Sequence, residues 1–225
     1  MKKLSLKINQ KTTSYPIIIG SNIFSNFFQI LKKNDLSFSR YLFVVDKNVP
    51  KKMIKIIYKS LNKKRKKLYF FNANEKNKNQ HSVNAIIEVL LKENFTREDC
   101  VVAVGGGITG DVTAFAASTF KRGINFINIP TTLLAQVDSS IGGKTGVNSR
   151  HGKNLIGSFY QPNLVISDIS FLKTLPKREI ICGYGEILKH SIISNKKFFL
   201  YLNKNASKIL NLKSPFIEKS IINRV

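Results

Sequence analysis

Short apolar runs alternate with segments of helical periodicity along the first three quarters of the chain. The runs are rich in β-branched and aromatic residues and end at Gly, Asp, Asn or Pro, which predicts strands at 15–20, 41–46, 67–71, 101–104 and 126–130. Apolar residues at helical spacing between them predict helices at 23–31, 49–61, 82–93 and 110–120. This order of strands and helices predicts a parallel sheet that is covered on both faces.

The strand pattern ends at about residue 176. Residues 177–195 have a helical pattern, and a second helix is predicted from Ser214 onward, with Ser214 at the cap and Pro215 at the first helical position. We therefore expect an α/β domain over residues 1–176 and the start of an all-helical domain over residues 177–225. Residues 1–10 alternate like an edge strand, and the glycine-rich stretch 138–154 is predicted as a functional loop without regular structure.

The composition is that of a globular chain with a large positive charge. Its 225 residues are 43% hydrophobic, with a net charge of +24 and a basic stripe at 63–67. The excess is nearly all Lys, whereas Arg is the better reader of bases and phosphates, so solvated surface charge is favoured and nucleic-acid binding is the alternative. Without a membrane-length apolar run or a signal peptide, we expect a cytoplasmic protein in which Cys100 and Cys182 are reduced thiols.

A glycine cluster follows the strand predicted at 101–104. Gly105, Gly107 and Gly110 have the spacing of a turn that lets backbone amides approach a pyrophosphate, and the same spacing also suits a simple tight turn. The carboxylate that usually follows about 20 residues later is missing, which disfavours the standard adenosine recognition. The turn makes the predicted parallel sheet Rossmann-like.

Several polar residues near this turn have both a binding and a structural interpretation. Asp111 lies in the first helical turn, where it is either a ligand contact or a partner of the helix dipole. Thr131 and Thr132 follow the next strand, where they either contact a ligand or cap a helix over 133–137. Lys144 and Lys153 lie beside glycine-exposed backbone, which suits an anionic ligand.

Taken together, these motifs resemble the 3-dehydroquinate synthase family. The matching segments are Gly105-Gly-Gly-Ile-Thr-Gly-Asp111, Phe120-Lys-Arg-Gly123, the run from Ile129 to Asn148, Gly152-Lys-Asn-Leu-Ile-Gly157 with the Ser-Phe-Tyr-Gln-Pro that follows, Thr174 to Glu179, and Gly183-Tyr-Gly-Glu-Ile-Leu-Lys189. Glycerol and iron-dependent alcohol dehydrogenases share the glycine turn and the Pro-Thr-Thr strand end. A glycerol dehydrogenase-like enzyme and another sugar phosphate cyclase are therefore the alternatives.

The resemblance implies a phosphate lyase of the shikimate pathway of aromatic amino acid biosynthesis. Such an enzyme converts 3-deoxy-D-arabino-heptulosonate 7-phosphate into 3-dehydroquinate and phosphate, using NAD and a divalent metal, zinc or cobalt. The implied catalytic, substrate-side residues are Asp138, Lys144, Asn154, Lys189 and Arg122, the last reaching across a homodimer. The implied cofactor residues are Asp46, Glu75, Lys78, Gly107, Ile108, Thr109, Gly110, Asp111, Thr131, Thr132, Lys144, Lys153, Phe171, Leu172, Lys173 and Thr174. Around Glu75 and Lys78 the sequence lacks the Asp and Gly of the family's segment.

The metal site implied by the resemblance is incomplete in this sequence. Glu186 matches the family's first ligand, but the two histidine ligands belong to a later region, so we expect a C-terminally truncated member that does not turn over substrate alone. His190 lies one helical turn after Glu186 and could face the same side, although a surface or packing role is the favoured interpretation. A non-catalytic remnant is a further alternative.

Overall fold

The structure is a computed structural model that describes residues 14–60 and 65–224. The edge strand predicted at 1–10 and the first two lysines of the basic stripe lie outside the described residues. The strands in chain order are β1 (Ile17–Gly20), β2 (Arg40–Asp46), β3 (Arg65–Phe71), β4 (Cys100–Gly105), β5 (Asn125–Pro130), β6 (Lys144–Ser149), β7 (Gly152–Phe159) and β8 (Leu164–Asp168). The α-helices are α1 (Phe27–Lys33), α2 (Lys51–Ser60), α3 (Gln80–Lys92), α4 (Gly107–Thr119), α5 (Lys177–Ser194), α6 (Lys196–Leu210) and α7 (Phe216–Ile222).

Six of the strands form one parallel sheet in the order β1-β8-β5-β4-β2-β3. Successive residues of β2 point to opposite faces, so Tyr41 and Phe43 join one buried core with α1 and α2, whereas Leu42 and Val44 join another with α3 and α4. Both faces are thus covered, which explains why the central strands are apolar without alternation. The prediction of an α/β, Rossmann-like parallel sheet is confirmed.

The strand order reverses between β2 and β4. From β2 the chain moves outward to β3, and from β4 it moves the other way to β5, so these two neighbours form the topological switch point of the sheet. Open α/β sheets bind ligands in the crevice at the carboxyl ends of such strands. Here those ends are Asp46 and Gly105.

The prediction of a loop without regular structure over 138–154 is wrong. A five-residue π-helix (Ala135–Ser139) replaces the start of the stretch, and β6 and β7 form an antiparallel hairpin. The glycines serve the hairpin rather than prevent it: Gly142 and Gly143 adopt positive φ just before β6, and a Cβ on Gly157 would lie 2.0 Å from Thr145 O across the ladder. Of the glycines within the predicted loop, Gly146 and Gly152 lie in β6 and β7, so these two were misread as loop residues.

The helical region contains one element more than predicted. α5 ends at Ser194, and Asn195 then starts α6 by accepting a hydrogen bond from Phe198 N at 3.0 Å, so the predicted end of a helix is also the start of the next. α7 begins at Phe216, so Pro215 is the capping residue and the predicted cap at Ser214 is off by one position. β8 was also missed, and the helix predicted at 23–31 is a 3-10 turn (Ile23–Asn26) followed by α1.

The three C-terminal helices enclose a core of their own against the π-helix. Ile187, Leu202 and Ile217 are buried there together with Leu133 and Val137. α5 approaches this segment closely, since a Cβ on Gly183 would lie 2.6 Å from Leu133 Cβ and 2.7 Å from Leu134 N. Both cysteines are free thiols, Cys100 buried and Cys182 exposed. Across the described residues, none of the helices has the length and apolar character required to span a bilayer.

Candidate functional site

The glycine turn lies at the switch point of the sheet. β4 ends at Gly105, and α4 starts two residues later at Gly107. A Cβ on Gly105 would lie 2.5 Å from Thr109 Oγ1 and 3.0 Å from Asp46 Cβ, and one on Gly107 would lie 2.7 Å from Ser139 Oγ. The chain therefore needs glycine here for its own packing. The first amides of α4 have no intrahelical partner, and they point into the crevice, which suits phosphate groups.

Lys78 connects three of the predicted site residues. Its Nζ lies 2.5 Å from Asp111 Oδ2 and donates to Asn154 Oδ1 at 2.6 Å. Lys78 is 8% exposed, so its ammonium group is held away from bulk water. Burial raises the pKa of Asp111, and the hydrogen bond and charge of Lys78 oppose this shift. Asn154 itself has a φ of 56°, which the hairpin imposes. The three residues form a charged cluster at the mouth of the glycine turn.

A second, exposed cluster continues from the first. Asn148 donates to Glu75 Oε1 at 2.9 Å and accepts from Asn154 N at 3.0 Å, and Lys153 Nζ lies 3.2 Å from Glu75 Oε1. The pKa of Glu75 is lowered, first by the hydrogen bond from Asn148 and then by the one from Lys153. Asn148 was missed by the sequence analysis, although it belongs to a matching motif. Although the Asp and Gly implied by the resemblance are absent from this segment, Lys78 still contacts Asp111, and Glu75 still contacts Asn148 and Lys153.

The two threonines after β5 and the segment after β8 would offer mainly backbone atoms to a ligand. Thr132 Oγ1 accepts from Ala135 N at 3.2 Å, the predicted capping interaction, and Thr131 N bonds to Gly105 O at 2.9 Å. Phe171 and Leu172 are buried in the cores within a 3-10 helix (Ile169–Thr174), while Lys173 and Thr174 are exposed. The side chains of Phe171 and Leu172 therefore pack in the cores, and these two residues would contact a ligand only through backbone atoms.

Three further residues differ in how close they lie to the crevice. Asp46 accepts from Asn48 N at 2.9 Å, and burial raises the pKa of its carboxyl group. Lys144 is exposed at the start of β6, without an ion-pair partner in the ranges that the structure describes, and lies in the wall of a small cleft with Gly110 and Asp111. Arg122 is exposed beyond the far end of α4, about 20 Å along the helix axis from the glycine turn. The structure does not bring Arg122 to the site of its own chain.

Acidic and histidine side chains meet where α5 passes the π-helix. Single donor atoms of Asp138, Glu186 and His190 lie within 4.8 Å of one another. Glu186 Oε1 contacts Lys189 Nζ and lies 2.9 Å from His190 Nε2, so the predicted shared helix face is confirmed. The pKa of Glu186 is lowered, mainly by the hydrogen bond from Lys189. Carboxylate and imidazole ligands suit a divalent ion such as zinc or cobalt.

Arg224, which the sequence analysis missed, reaches the same place from beyond α7. Its Nη2 is 2.7 Å from His190 Nε2 and 3.4 Å from Asp138 Oδ1. No pattern in the sequence pairs a residue at this position with α5.

The π-helix joins the two parts of the site. Ser139 packs against Gly107 at the glycine turn, and the neighbouring Asp138 faces Glu186 and His190. Burial is the main cause of the raised pKa of Asp111, and the negative charge of Asp138 adds to it. Segments of π-helix are often found at functional sites because they redirect side chains. The glycine turn and the cluster of Asp138, Glu186 and His190 thus adjoin.

Comparisons with known proteins place this arrangement among enzymes. A family profile described as 3-dehydroquinate synthase N-terminal matches residues 68–182. The 3-dehydroquinate synthase of Pelagibacter ubique (strain HTCC1062) is 61% identical over 221 residues, which are 98% of this chain and 60% of the relative. That of Alkaliphilus metalliredigens (strain QYMF) is 43% identical over 216 residues, 96% of this chain and 60% of the relative. The chain spans 60% of the length of these two relatives.

Solved structures of related enzymes share the fold. ValA, a 2-epi-5-epi-valiolone synthase from Streptomyces hygroscopicus subsp. jinggangensis 5008 with NAD+ and Zn2+ bound, gives a TM-score of 0.89 at 25% identity, covering 98% of this chain and 62% of that one. A 2-deoxy-scyllo-inosose synthase complexed with carbaglucose-6-phosphate, NAD+ and Co2+ gives 0.72 at 30% identity, covering 78% of this chain and 47% of that one.

Proposed function

Because the chain belongs to the 3-dehydroquinate synthase family, we propose that it provides the NAD-binding and much of the substrate-binding part of this enzyme. The reaction is the cyclisation of 3-deoxy-D-arabino-heptulosonate 7-phosphate to 3-dehydroquinate with release of phosphate. In this proposal residues 1–176 form the dinucleotide-binding domain, and residues 177–225 belong to the helical domain that holds metal and substrate. The core around α5–α7 supports the division, since most of its buried residues come from these helices, and Leu133, Val137, Ile169 and Leu172 of the first domain complete it.

The cofactor is held at the switch point. Amides of Gly107 to Thr109 bind the pyrophosphate, which is possible because glycine leaves the start of α4 open, while Gly110 N donates to Gly106 O at 3.1 Å within the helix. Thr109 Oγ1 supports this assignment, since it is buried beside the turn and has no hydrogen-bond partner among the described side chains and backbone. Lys78 and Asp111 form the adjoining wall. Lys153 and Glu75, both exposed, supply charge at the rim.

The substrate lies between this turn and α5. Lys144 and Asn154 donate hydrogen bonds to its anionic and hydroxyl oxygens, and Asp138 and Lys189 contact it from the metal side. NAD bound at the switch point would supply a reversible hydride acceptor, and a divalent ion that Glu186 would help to hold would polarise the hydroxyl to be oxidised. The residues of this chain bind and orient the substrate and exclude water from it. Asp111 and Lys78 are buried, so their ion pair is fixed in a wall of the site that has little contact with water.

One observation carries the proposal: the π-helix places Ser139 on the glycine turn and Asp138 beside Glu186. The proposed NAD site therefore adjoins the proposed metal site. The hydride acceptor would lie beside the hydroxyl that the metal activates. A nucleic-acid-binding protein has no need of it, and the basic charge is then general surface charge.

The proposal is tested by calorimetry with NAD and by an assay of phosphate release from the keto acid phosphate with NAD and zinc. We expect NAD to bind the 225-residue chain. Turnover is expected from a chimera that adds the part of the Pelagibacter ubique relative that the chain does not match. A chimera that binds NAD and zinc without releasing phosphate would contradict the assigned reaction, and a chain without NAD affinity would contradict the assigned cofactor site.

Two further parts of the proposal concern the state of the protein. We propose a homodimer, because Arg122 lies exposed and far from the site of its own chain, where it is free to serve the partner's site. Analytical ultracentrifugation of the purified chain measures this directly, and a monomer at micromolar concentration would contradict it. Residence in the cytoplasm is proposed with the biosynthetic role.

A further inference from the structure

Three metal-binding side chains from two separate elements converge beside the π-helix. Glu186 and His190 come from successive turns of α5, and Asp138 comes from the π-helix. Two carboxylate oxygens and one imidazole nitrogen within 4.8 Å form a mixed donor set rather than a purely acidic cluster. A tetrahedral ion with metal–ligand distances near 2.1 Å requires donor atoms about 3–3.5 Å apart. Asp138 is half exposed, so its side chain is free to make the small closing movement.

Two cationic groups already lie among these donor atoms: Lys189 Nζ contacts Glu186 Oε1, and the second group is Arg224. The Arg224 guanidinium contacts His190 Nε2 at 2.7 Å and Asp138 Oδ1 at 3.4 Å. A guanidinium can only donate hydrogen bonds, so His190 accepts this one with the lone pair of Nε2. The same lone pair of a neutral imidazole is the one that binds metal ions.

The contacts of Arg224 are not all compatible. His190 Nε2 also lies 2.9 Å from Glu186 Oε1, which can only accept, and one imidazole nitrogen cannot donate and accept at once. Arg224 Nε is buried and has no hydrogen-bond partner among the residues that the structure describes. A divalent ion removes the conflict, because Nε2 and both carboxylate oxygens then serve as ligands. Arg224 is thus an imperfect occupant of a place that favours a cation.

We propose that Asp138, Glu186 and His190 form a divalent-cation site in this chain, and that Arg224 is an internal cation which the metal must displace. This inference rests on the proposed function, which assigns Glu186 as a metal ligand. It adds Asp138 and His190 as ligands and Arg224 as a cation that competes with the metal. The donor set suits zinc, cobalt or manganese. Displacement of Arg224 would also link metal binding to the end of α7, which lies two residues before Arg224.

The test is a titration of the 225-residue chain with Co2+, followed by visible absorption and calorimetry. His190→Ala should weaken Co2+ binding by about tenfold or more and remove the spectral signature of nitrogen coordination. Arg224→Gln should strengthen it by about tenfold, because a competing cation is lost. His81→Ala on α3 and Arg97→Gln before β4 are matched controls, since both side chains are exposed and remote, and should bind Co2+ like the unmodified chain.

The outcomes separate this inference from the proposed function. Equal Co2+ affinity of the His190→Ala and His81→Ala variants would overturn it, as would an Arg224 variant with unchanged affinity. If Glu186→Gln abolishes binding while His190→Ala does not, the ligand role of Glu186 stands and the present inference fails. If the metal pattern holds but NAD does not bind, the proposed function fails and the inference stands. Arg224→Met provides a second variant, and circular dichroism verifies the fold of each.

Discussion

Lys78 is the residue whose loss should most affect the crevice at the carboxyl ends of the strands, because its ammonium group contacts both Asp111 and Asn154. Replacing Lys78 with Met leaves the buried Asp111 carboxylate without a countercharge. We expect the free energy of unfolding to fall by about 3 kcal/mol at neutral pH, the usual effect of breaking a buried ion pair from one side. Urea denaturation measures this. An unchanged midpoint would show that the pair is solvated.

The same variant has a defined pH dependence. Burial raises the pKa of Asp111 above that of the unfolded chain, so this group favours folding below the unfolded pKa, and the contribution is lost as pH rises through the folded pKa. Without Lys78 the folded pKa rises further and the loss grows. The Lys78→Met variant should therefore be more destabilised at pH 7 than at pH 4. In the double variant with Asp111→Asn, this difference between the two pH values should disappear.

Lys144 and Lys153 should act on ligands and not on the fold. Both are exposed, and Lys153 has one exposed ion pair with Glu75. Replacing either with Met should weaken binding of NAD or a phosphorylated substrate analogue by about 1.5–3 kcal/mol, as for a charge-assisted hydrogen bond. Melting temperature should stay the same, as in a Lys92→Met control on α3. A parallel loss of melting temperature and affinity would mark the lysine as structural.

The residues of the site could be predicted as types and positions but not as contacts. Lys78, Asp111 and Asn154 were assigned by resemblance, yet nothing in their spacing shows that one buried ammonium group joins all three. Arg224 lies far along the chain from Asp138, and such long-range pairs depend on how helices pack. The side chains of Phe171 and Leu172 are turned into the cores, which the motif match alone does not reveal.

At the scale of single elements, the start of α4 provides a test of the proposed cofactor site. Gly107→Val should abolish NAD binding in calorimetry, because a branched side chain blocks the approach of phosphates to the helix amides. A Cβ here also contacts Ser139 Oγ, so the variant is paired with Gly107→Val/Ser139→Ala, which relieves that contact. Loss of binding in both variants with the Ser139→Ala single variant still binding supports the phosphate role. Recovery in the pair would assign the effect to packing.

The β6–β7 hairpin should be sensitive to one added methyl group. Gly157→Ala places a Cβ 2.0 Å from Thr145 O, a backbone atom that cannot move without opening the ladder, so we expect a loss of about 2 kcal/mol or more. Gly185→Ala is the matched change, since a Cβ there meets no atom within 4 Å and lies in α5. It should stabilise by about 0.5–1 kcal/mol. Equal effects on the urea midpoint would contradict the assigned register.

Element prediction succeeded where local patterns were strong. β2, β4 and β5 are buried on both faces, and their apolar runs are readable without tertiary information. The hairpin was missed because its glycines, which fit between paired strands, look like loop residues in a single sequence. The predicted helix ended at residue 195 and α6 was missed, although Asn195 caps it and Phe198, Leu202 and Ile209 follow at helical spacing. β8 is short and becomes a strand through pairing with β1 and β5.

At the scale of the whole molecule, α5 and α6 expose a large amount of apolar surface. Ile192 and Ile193 are 67% and 76% exposed, and Leu200 is 55% exposed. Soluble proteins rarely leave such groups together in water, so we expect the chain to self-associate with rising concentration. Replacing Ile192 and Ile193 with Lys should reduce the scattering seen in light-scattering measurements, while Lys92→Met should not. Scattering that is equal in both variants would exclude this surface as the cause.

Gly183 of α5 packs closely against Leu133 and Leu134, which directly precede the π-helix, and a Cβ on Gly183 would lie only 2.6 Å from Leu133 Cβ. The π-helix in turn carries Ser139, which touches the glycine turn. We therefore expect a dinucleotide that immobilises this turn to restrain α5 as well, and so to slow backbone fluctuation at Glu186 and His190. Cofactor and metal would then be coupled through loss of motion, each lowering the entropic cost of binding the other.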